Sequence, residues 1–382
     1  MRIAVVGGGP AGLYFARLLK RGLGDHDVTV FEQNAPDATF GFGVGLGGSA
    51  RDRIRLADPE VHDRITAAMV FTNEQNIHLD GTDTLLEYSQ TGGAIERLNL
   101  LRILQQACAE VGVEMRNQHR IERKEQLDGF DLVVAADGVN SAIRQMHGDA
   151  FGTHTRYLMN HFAWYGVARA MRPSALVFRS TEHGRFVGHY YAYTDRMSTF
   201  VAECDDATWI ASGMEAMSDA ERRGLVERIF ASELAGDALV ENRSIWRTFP
   251  VITNDRWSVG NTVLLGDALL SAHFSIGSGT RLAMDDAAAL FEAVTSCGDD
   301  VAAALRTFER DRKPVRERFR QAAKRSFDWY ERVADAMTRE PVDFVYDFLT
   351  RTGRIDDARL AEYAPGFHAM YQRAHAAVPA VA

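Results

Sequence analysis

The stretch RIAVVGGGPAG, residues 2–12, constrains this chain more than any other. RIAVV is a short apolar run that reads as a buried parallel strand. PAGLYFARLLKRG, residues 10–22, follows as a helix with Gly22 and Gly24 as stop signals. DVTVFE, residues 27–32, is a second buried strand, so the start of the chain is a βαβ unit. In that setting Gly7 permits the tight turn, Gly9 lets backbone approach a pyrophosphate, and Gly12 lets helix and strand pack closely. Pro10 and Ala11 open the helix, whose unpaired N–H groups face the pyrophosphate. Glu32, twenty residues past Gly12, stands where a ribose hydroxyl is held. A second GxGxxG lies in GFGVGLGG, residues 41–48, at Gly43, Gly45 and Gly48. No strand feeds it directly, and the residues near 68 read AAMVF rather than a strand ending in an acid. It reads as a loop, glycine-rich so that backbone can lie against something flat. One tightly held dinucleotide is expected.

Further buried strands end in an acid and a glycine or the reverse: FDLVVAADG, residues 130–138, and NTVLLGDAL, residues 261–269. Residues 94–111 form an amphipathic helix, and another runs from about 278 to 296. Between about 156 and 256 the chain changes character, with alternating aromatic and β-branched residues. FVGHYYAY and MSTFVAEC read as neighbouring antiparallel strands around a turn at Thr194–Arg196. One helix interrupts them, opened by a Ser218/Glu221 capping box. The tail from about 300 reads helical, and its Lys/Arg cluster between Arg306 and Arg325 reads as a solvated face.

The expected fold class is α/β. A discontinuous Rossmann-type unit (1–75, 94–155 and 257–300) interleaves with a mixed or antiparallel β-sheet unit (76–93 and 156–256), ahead of a helical region over 301–382. A net charge of −9 argues against a nucleic-acid partner. Three cysteines with no CxxC give neither a metal site nor a disulfide framework, which points to a reducing compartment. No apolar run nears the ~18 residues that span a bilayer. The first strand begins at Arg2, which leaves no room for a signal peptide, so a cytoplasmic protein without a membrane partner is expected. No serine sits in a GxSxG elbow. Strand parity puts His189, Tyr191 and Tyr193 on one face, aromatics with polar tips that suit a wall gripping a ring. The alternative is that this face packs a helix.

Three motifs together carry a resemblance: GGGPAG with Glu32, DLVVAADGVNSAIR at 131–144, and GDALLSAHFSIGSGTRLAMDDA at 266–287. In order and spacing they resemble the single-component FAD aromatic hydroxylases of the p-hydroxybenzoate hydroxylase fold. HFSIGSGT, FRSTEHGRFVGHYYAY and MSTFVAEC resemble a narrower branch of salicyloyl-CoA, anthraniloyl-CoA and violacein-pathway tryptophan-derived hydroxylases. The resemblance implies tightly bound FAD, transient NADPH or NADH, O2, and a small aromatic substrate hydroxylated through a flavin C4a-hydroperoxide, in a monomer or homodimer. It implies that Gly7, Gly9, Pro10, Ala11, Gly12 and Glu32 hold the adenosine-pyrophosphate end of FAD. Arg97 would meet its phosphates or ribose, and Asp267 its ribityl region. Gly43 and Val44 would lie beside the flavin ring. Gly277, Gly279 and Thr280 would open a helix toward the pyrimidine edge, where a helix N-terminus stabilises the negative charge of reduced flavin. Asp137 and Arg144 match residues linked to FAD support and NAD(P)H docking, or else cap a strand end and pair on the surface. His273 would relay a proton, orient the oxidant or satisfy its own loop, beside His189 and Tyr191 as catalytic candidates. Trp164, Tyr193 and Phe274 would touch the substrate. The family often has Ala-His after GDA and a proline near the flavin; Leu269, Leu270 and Phe274 stand there instead. An aryl-CoA substrate would want a basic rim, for which Arg172, Arg179 and Arg185 are candidates. The alternatives are an FAD epoxidase or reductase of related fold, and an oxygenase fed reduced flavin by a separate reductase.

Overall fold

Arg2–Val6 forms as read, with every residue after Arg2 buried, because helices cover both faces of the sheet it enters. The computed structural model describes residues 1–39, 41–277 and 279–376. Helix Pro10–Gly22 has the expected bounds, with proline in its first turn and Lys20 and Arg21 in its last. Asp27–Phe31 pairs parallel to Arg2–Val6, and Leu132–Ala135 pairs on the other side. The six-stranded sheet runs Ser258–Val259, Thr262–Leu264, Leu132–Ala135, Arg2–Val6, Asp27–Phe31, Glu114–Arg116. All its pairings are parallel except the first. The expected strands at 130–138 and 261–269 are shorter than read. Each stops where its acid–glycine turn begins, and Gly266 sits in the left-handed region at φ +60°.

A second, nine-stranded sheet stands beside it. Its order is Leu239–Val240, Thr153–Val167, Ser198–Cys204, Gly184–Ala192, Ser174–Thr181, Val70–Leu79, Thr82–Glu96, Gly43–Gly45, with Arg247–Asn254 also on Thr153–Val167. Val70–Leu79 belongs wholly to this sheet, so the boundary read at residue 75 falls inside a strand. One face carries Tyr165, Phe186, Phe200 and Cys204 against Trp209, Val226, Phe230 and Leu234 of the helices that follow Cys204. The other face carries Leu176, Phe178 and Val187, covered by Tyr330, Phe344, Phe348 and Leu360 of the C-terminal helices. His189 and Tyr191 continue the side of Val187 along the same strand.

Two expectations change. Residues 43–45 are not loop but a short strand paired antiparallel with Ala94–Glu96, which in turn delays the next helix to Arg97–Glu110. The basic run of the tail is not wholly solvated. Arg316 of helix Val301–Tyr330 is 4% exposed, pairs with the fully buried Asp286 at 3.6 Å, and donates to the Leu270 carbonyl at 2.6 Å. Arg312 adds a 2.7 Å pair to Asp286.

A second buried network joins the first helix to the segment after the glycine strand. Arg17 and Asp58, 2% and 0% exposed, pair at 2.9 Å, and Arg21 reaches the same carboxylate at 2.7 Å. Removing Asp58 leaves the buried Arg17 with only the half-exposed Glu60, 2.6 Å away, so Asp58→Ala should cost on the order of 3 kcal/mol. Urea unfolding followed by circular dichroism checks this; a loss under about 1 kcal/mol would place the pair in the class of surface salt bridges.

Candidate active site

The glycine turn shows why each glycine is there. Gly7 lies at φ +110°, and a Cβ on it would stand 2.3 Å from the Ala136 carbonyl oxygen. A Cβ on Gly12 would stand 2.1 Å from the Gly7 oxygen. At Gly9 a Cβ would meet nothing within 4 Å. Gly7 and Gly12 are therefore required by packing, whereas Gly9 leaves room above the helix. Gly9 is also the N-cap, with no side chain closing the helix start, and Pro10 follows at the first helical position. Ala11 is buried against the Gly266 backbone, which joins this turn to the GDA segment. Glu32 is fixed beside the turn: it accepts from Gly8 N at 2.7 Å and from Asn34 N and Nδ2 at 2.8 and 2.7 Å.

Below the turn the polar groups lack protein partners. Arg97, at the start of its helix, donates its backbone N–H to the Phe42 carbonyl at 2.8 Å, but its guanidinium makes no hydrogen bond or ion pair among the described residues. Burial lowers its pKa, opposed by Asp267 and then Tyr191. Asp267 is exposed at the cleft surface, yet enclosing protein raises its pKa, and Arg316 and Arg97 hold it down. Asp137 accepts from Ile143 N at 3.1 Å, but its Oδ1 is buried with no partner. Its pKa is raised by burial, against the Ser141 hydroxyl. Arg144, by contrast, is spent: buried, it donates to the Ala268 and Val139 carbonyls at 2.8 and 2.7 Å. It is a strut between two family motifs rather than a docking group. Gly277 closes the Phe274–Ile276 turn at φ +56°, and Gly279 and Thr280 begin helix Gly279–Cys297. Nothing lies within 4 Å of a Cβ on Gly277, Gly45 or Gly47.

The glycine segment is an edge strand of the second sheet that folds back onto other strands of the same sheet. Gly43 N donates to Thr199 Oγ1 and the Tyr191 hydroxyl donates to the Gly43 carbonyl, both at 2.9 Å. A Cβ on Gly43 would come within 2.7 Å of Tyr193, and one on Gly166 within 2.5 Å of Phe42. Tyr193 is thus buried under Gly43, while Val44 pairs with Ile95. His189 and Tyr191 share a face, rings 5.3 Å apart. The His189 ring makes no hydrogen bond among the described residues, and burial, reinforced by Arg351, pushes its pKa down to about 4. Next to them Phe274 packs on Phe162 at 4.7 Å and on Trp164 at 5.5 Å. His273 stacks on Phe274 at 4.3 Å and meets the edge of Phe249 at 4.7 Å. Its Nδ1 accepts from Ser275 N at 3.2 Å and lies 2.8 Å from the Ser275 hydroxyl. Burial drops the His273 pKa to about 3, so the ring is neutral.

Three neighbouring residues escaped the sequence reading. Glu203, 3% exposed, is held by Asn160 Nδ2 at 2.7 Å, and burial pushes its pKa up to about 7. An acid inside the apolar strand STFVAEC was its only signal. Arg351 ties the C-terminal helices to the His273 loop, donating to Ser326 Oγ at 3.1 Å and to the Ser275 carbonyl at 2.9 Å. Arg247 is exposed and lies 5.5 and 5.9 Å from the Trp164 and Phe162 ring centres. The suggested basic rim does not form. Arg172 pairs with Asp195 on the surface, and Arg179 pairs with Glu233 at 2.7 Å on the opposite face of the sheet. Arg185 has its Nε buried without a partner, on the strand end remote from Tyr191. No metal-binding cluster, and no helix long and apolar enough to cross a membrane, occurs among the described residues.

An uncapped glycine turn, an unpartnered arginine, an orphaned carboxylate oxygen and open space over Gly9, Gly45, Gly47 and Gly277 fit an extended FAD. Fold and cleft together define the class, a flavin-dependent monooxygenase. A family model described as the FAD binding domain matches residues 1–323, and the chain belongs to that family. Salicyloyl-CoA 5-hydroxylase of a Streptomyces species is 36% identical over 99% of this chain and 75% of its own length. The 3-hydroxy-4-methyl-anthranilyl-(aryl-carrier protein) 5-monooxygenase of Streptosporangium sibiricum is 38% identical over 96% and 98%. Protodeoxyviolaceinate monooxygenase of Chromobacterium violaceum is 33% identical over 92% and 94%. In fold, the tetrameric form of 2-methyl-3-hydroxypyridine-5-carboxylic acid oxygenase matches with a TM-score of 0.73 at 17% identity, covering 94% of this chain and 95% of that one. The protein is an FAD-dependent aromatic hydroxylating monooxygenase, with NAD(P)H and O2 as co-substrates.

The glycine geometry separates folding from cofactor binding. Gly9→Ala should leave the melting temperature of the flavin-free protein within about 1 °C and weaken FAD binding at least about tenfold, a loss of about 1.4 kcal/mol. Gly12→Ala should lower the melting temperature itself. Differential scanning fluorimetry with FAD titration reads both, and normal FAD affinity in the Gly9 variant would refute the assignment. His273 sets a pH signature. An unfolded histidine takes a proton below about pH 6.5 and the folded His273 does not, so stability should fall as pH drops from 6.5, by up to about 1.4 kcal/mol per unit. His273→Asn should reduce that slope in urea titrations between pH 7 and 5, leaving the part that His189 contributes; an unchanged slope would show that His273 is freely protonated in the fold.

Proposed function

We propose that the chain hydroxylates an electron-rich aryl ring carried as an acid or thioester, or an indole-like ring, held on the uncovered face of the second sheet. The observation that carries this reading is the aromatic group Phe162, Trp164, Phe249 and Phe274, with neutral His189 two strands from Trp164 on the same face and the Arg247 guanidinium, without an ion pair among the described residues, above it. Flat apolar walls suit a flat ring, and one cation suits the carboxylate or carbonyl on it. The aryl-thioester form is favoured by the two relatives named for CoA and aryl-carrier substrates.

FAD, when bound, supplies hydride acceptance from NAD(P)H and activation of O2. Gly7, Gly9, Pro10, Ala11, Gly12 and Glu32 would hold its adenosine and pyrophosphate, Arg97 and Asp137 its phosphate region, and Asp267 its ribityl chain. Gly43, Val44, Gly277, Gly279 and Thr280 would line its ring end. The chain's own groups position the substrate and exclude water. His189 accepts the ring-hydroxyl or ring proton at an imidazole nitrogen, which is free because nothing in the protein occupies it. Tyr191 holds the Gly43 backbone, and His273 holds its own loop in register through Ser275. Three free thiols, at Cys108, Cys204 and Cys297, suit a reducing, cytoplasmic setting.

NADH and NADPH oxidation should be stimulated by one class within a panel of aryl acids, aryl-CoA thioesters and indoles, with an oxygenated product by mass spectrometry. Trp164→Ala should raise KM for that substrate about tenfold while FAD content stays whole. Because His189 stays neutral above about pH 4, kcat/KM should show no His189-dependent acid limb between pH 6 and 8. A limb near pH 6.5 that disappears in His189→Asn, or stimulation by no member of the panel, would overturn the reading.

A further inference from the structure

Four arginines meet where the glycine segment, the helix after Gly277 and the C-terminal helices come together. Arg53 lies on helix Gly48–Ala57, Arg281 in the first turn of Gly279–Cys297, Arg312 on Val301–Tyr330, and Arg354 just past Pro341–Thr350. Too few carboxylates serve them. Asp285 takes Arg53 at 2.7 Å and Arg312 at 3.7 Å, and Asp286 is spent on Arg312 and Arg316. Among the described residues no carboxylate forms an ion pair with Arg281 or Arg354. Instead both guanidinium groups stand 4.7 Å from the ring centre of Phe319. Nε and Nη2 of Arg281 are buried with no hydrogen-bond partner. Burial, opposed by Asp285 and reinforced by Arg53, Arg354 and Arg312, brings Arg281 down to about 10.

Two cations held together on one ring, with donors unsatisfied, are costly unless an anion completes them. The planar forks of two arginines suit a multiply charged oxyanion such as phosphate, which each can bind bidentately. The position is equally specific. Arg281 lies two residues beyond Gly279, Arg354 three beyond Arg351, whose guanidinium grips the Ser275 carbonyl, and Arg53 five beyond Gly48. The cluster therefore borders the same loops that border the cleft.

We propose that Arg281 and Arg354, flanked by Arg53 and Phe319, bind the phosphate or pyrophosphate group of a nucleotide-bearing reactant. Two reactants share that chemistry: a CoA thioester substrate and the nicotinamide nucleotide. The inference rests on the hydroxylase reading for the identity of the reactant, but not for the anion site itself. It also takes over the part that Arg172 and Arg179, paired elsewhere, do not fill.

Isothermal titration of the FAD-loaded enzyme with inorganic pyrophosphate, CoA and NADP+ tests it, alongside Arg354→Gln and Arg281→Gln. Arg354 is exposed, so its variant should fold and keep its flavin. Pyrophosphate should bind the wild type with an affinity that falls with salt, and at least about tenfold more weakly to either variant. A matching loss for CoA alone assigns the site to the acyl carrier, and for NADP+ alone to the reductant; either supports the proposal. No pyrophosphate binding, or equal binding by the wild type and both variants, overturns it. Substrate-stimulated NAD(P)H oxidation across the panel of aryl acids, aryl-CoA thioesters and indoles is read in parallel. If it persists while anion binding fails, the hydroxylase reading stands and this inference falls; the reverse pattern falsifies the hydroxylase reading alone.

Discussion

Everything in the cleft depends on how residues 41–48 are pinned to the second sheet. Gly43 gives its N–H to Thr199 and its carbonyl to Tyr191, Val44 pairs with Ile95, and Asn242 Nδ2 donates to the Gly41 carbonyl at 2.9 Å. The approach is so close that a side chain at Gly43 or Gly166 would collide with Tyr193 or Phe42. The glycines are thus not only for a ligand. They let this edge strand and its flanks lie directly against the strands that carry Tyr191, Thr199 and Gly166.

Around the cleft the polar groups fall into two kinds. Structural charges are ion-paired, Arg17 with Asp58 and Glu60, and Arg312 and Arg316 with Asp286, although Arg312 Nη2, Arg316 Nε and Asp286 Oδ2 lack hydrogen bonds. Groups that face the cleft have no ion pair among the described residues: the Arg97 guanidinium and the His189 ring also have no hydrogen bond there, and Asp137 keeps one buried oxygen bare. Buried polar groups left unmatched cost free energy, so a fold keeps them where a ligand completes them. The same contrast, carried to the Phe319 arginines, separates a docking site from a strut such as Arg144.

The sequence made the cofactor half legible because its signals are local. A strand, a glycine turn and a helix within residues 2–22 need no distant partner to be recognised. The substrate half was legible by parity, since His189 and Tyr191 lie on one face of Gly184–Ala192. What stayed hidden depends on pairing across long stretches of chain. The strand Gly43–Gly45 exists only because Ala94–Glu96 meets it, and three glycines in five residues suppress any strand signal. Arg316 looked solvated because its partner Asp286 lies 30 residues away, in an apolar helix face. Tyr193 shares the parity of Tyr191 but follows the strand's end, and the turn buries it under Gly43.

The central claim is that the redox end of FAD meets the aromatic face of the second sheet in one slot. The most direct test is the visible absorption spectrum of the oxidised holoenzyme while an aryl ligand is titrated in. A saturable perturbation of the flavin bands in the wild type, lost or shifted to higher ligand concentration in Trp164→Ala, is the expected result. Ligand binding by calorimetry with no change in the flavin bands would place the aryl site elsewhere and contradict the account.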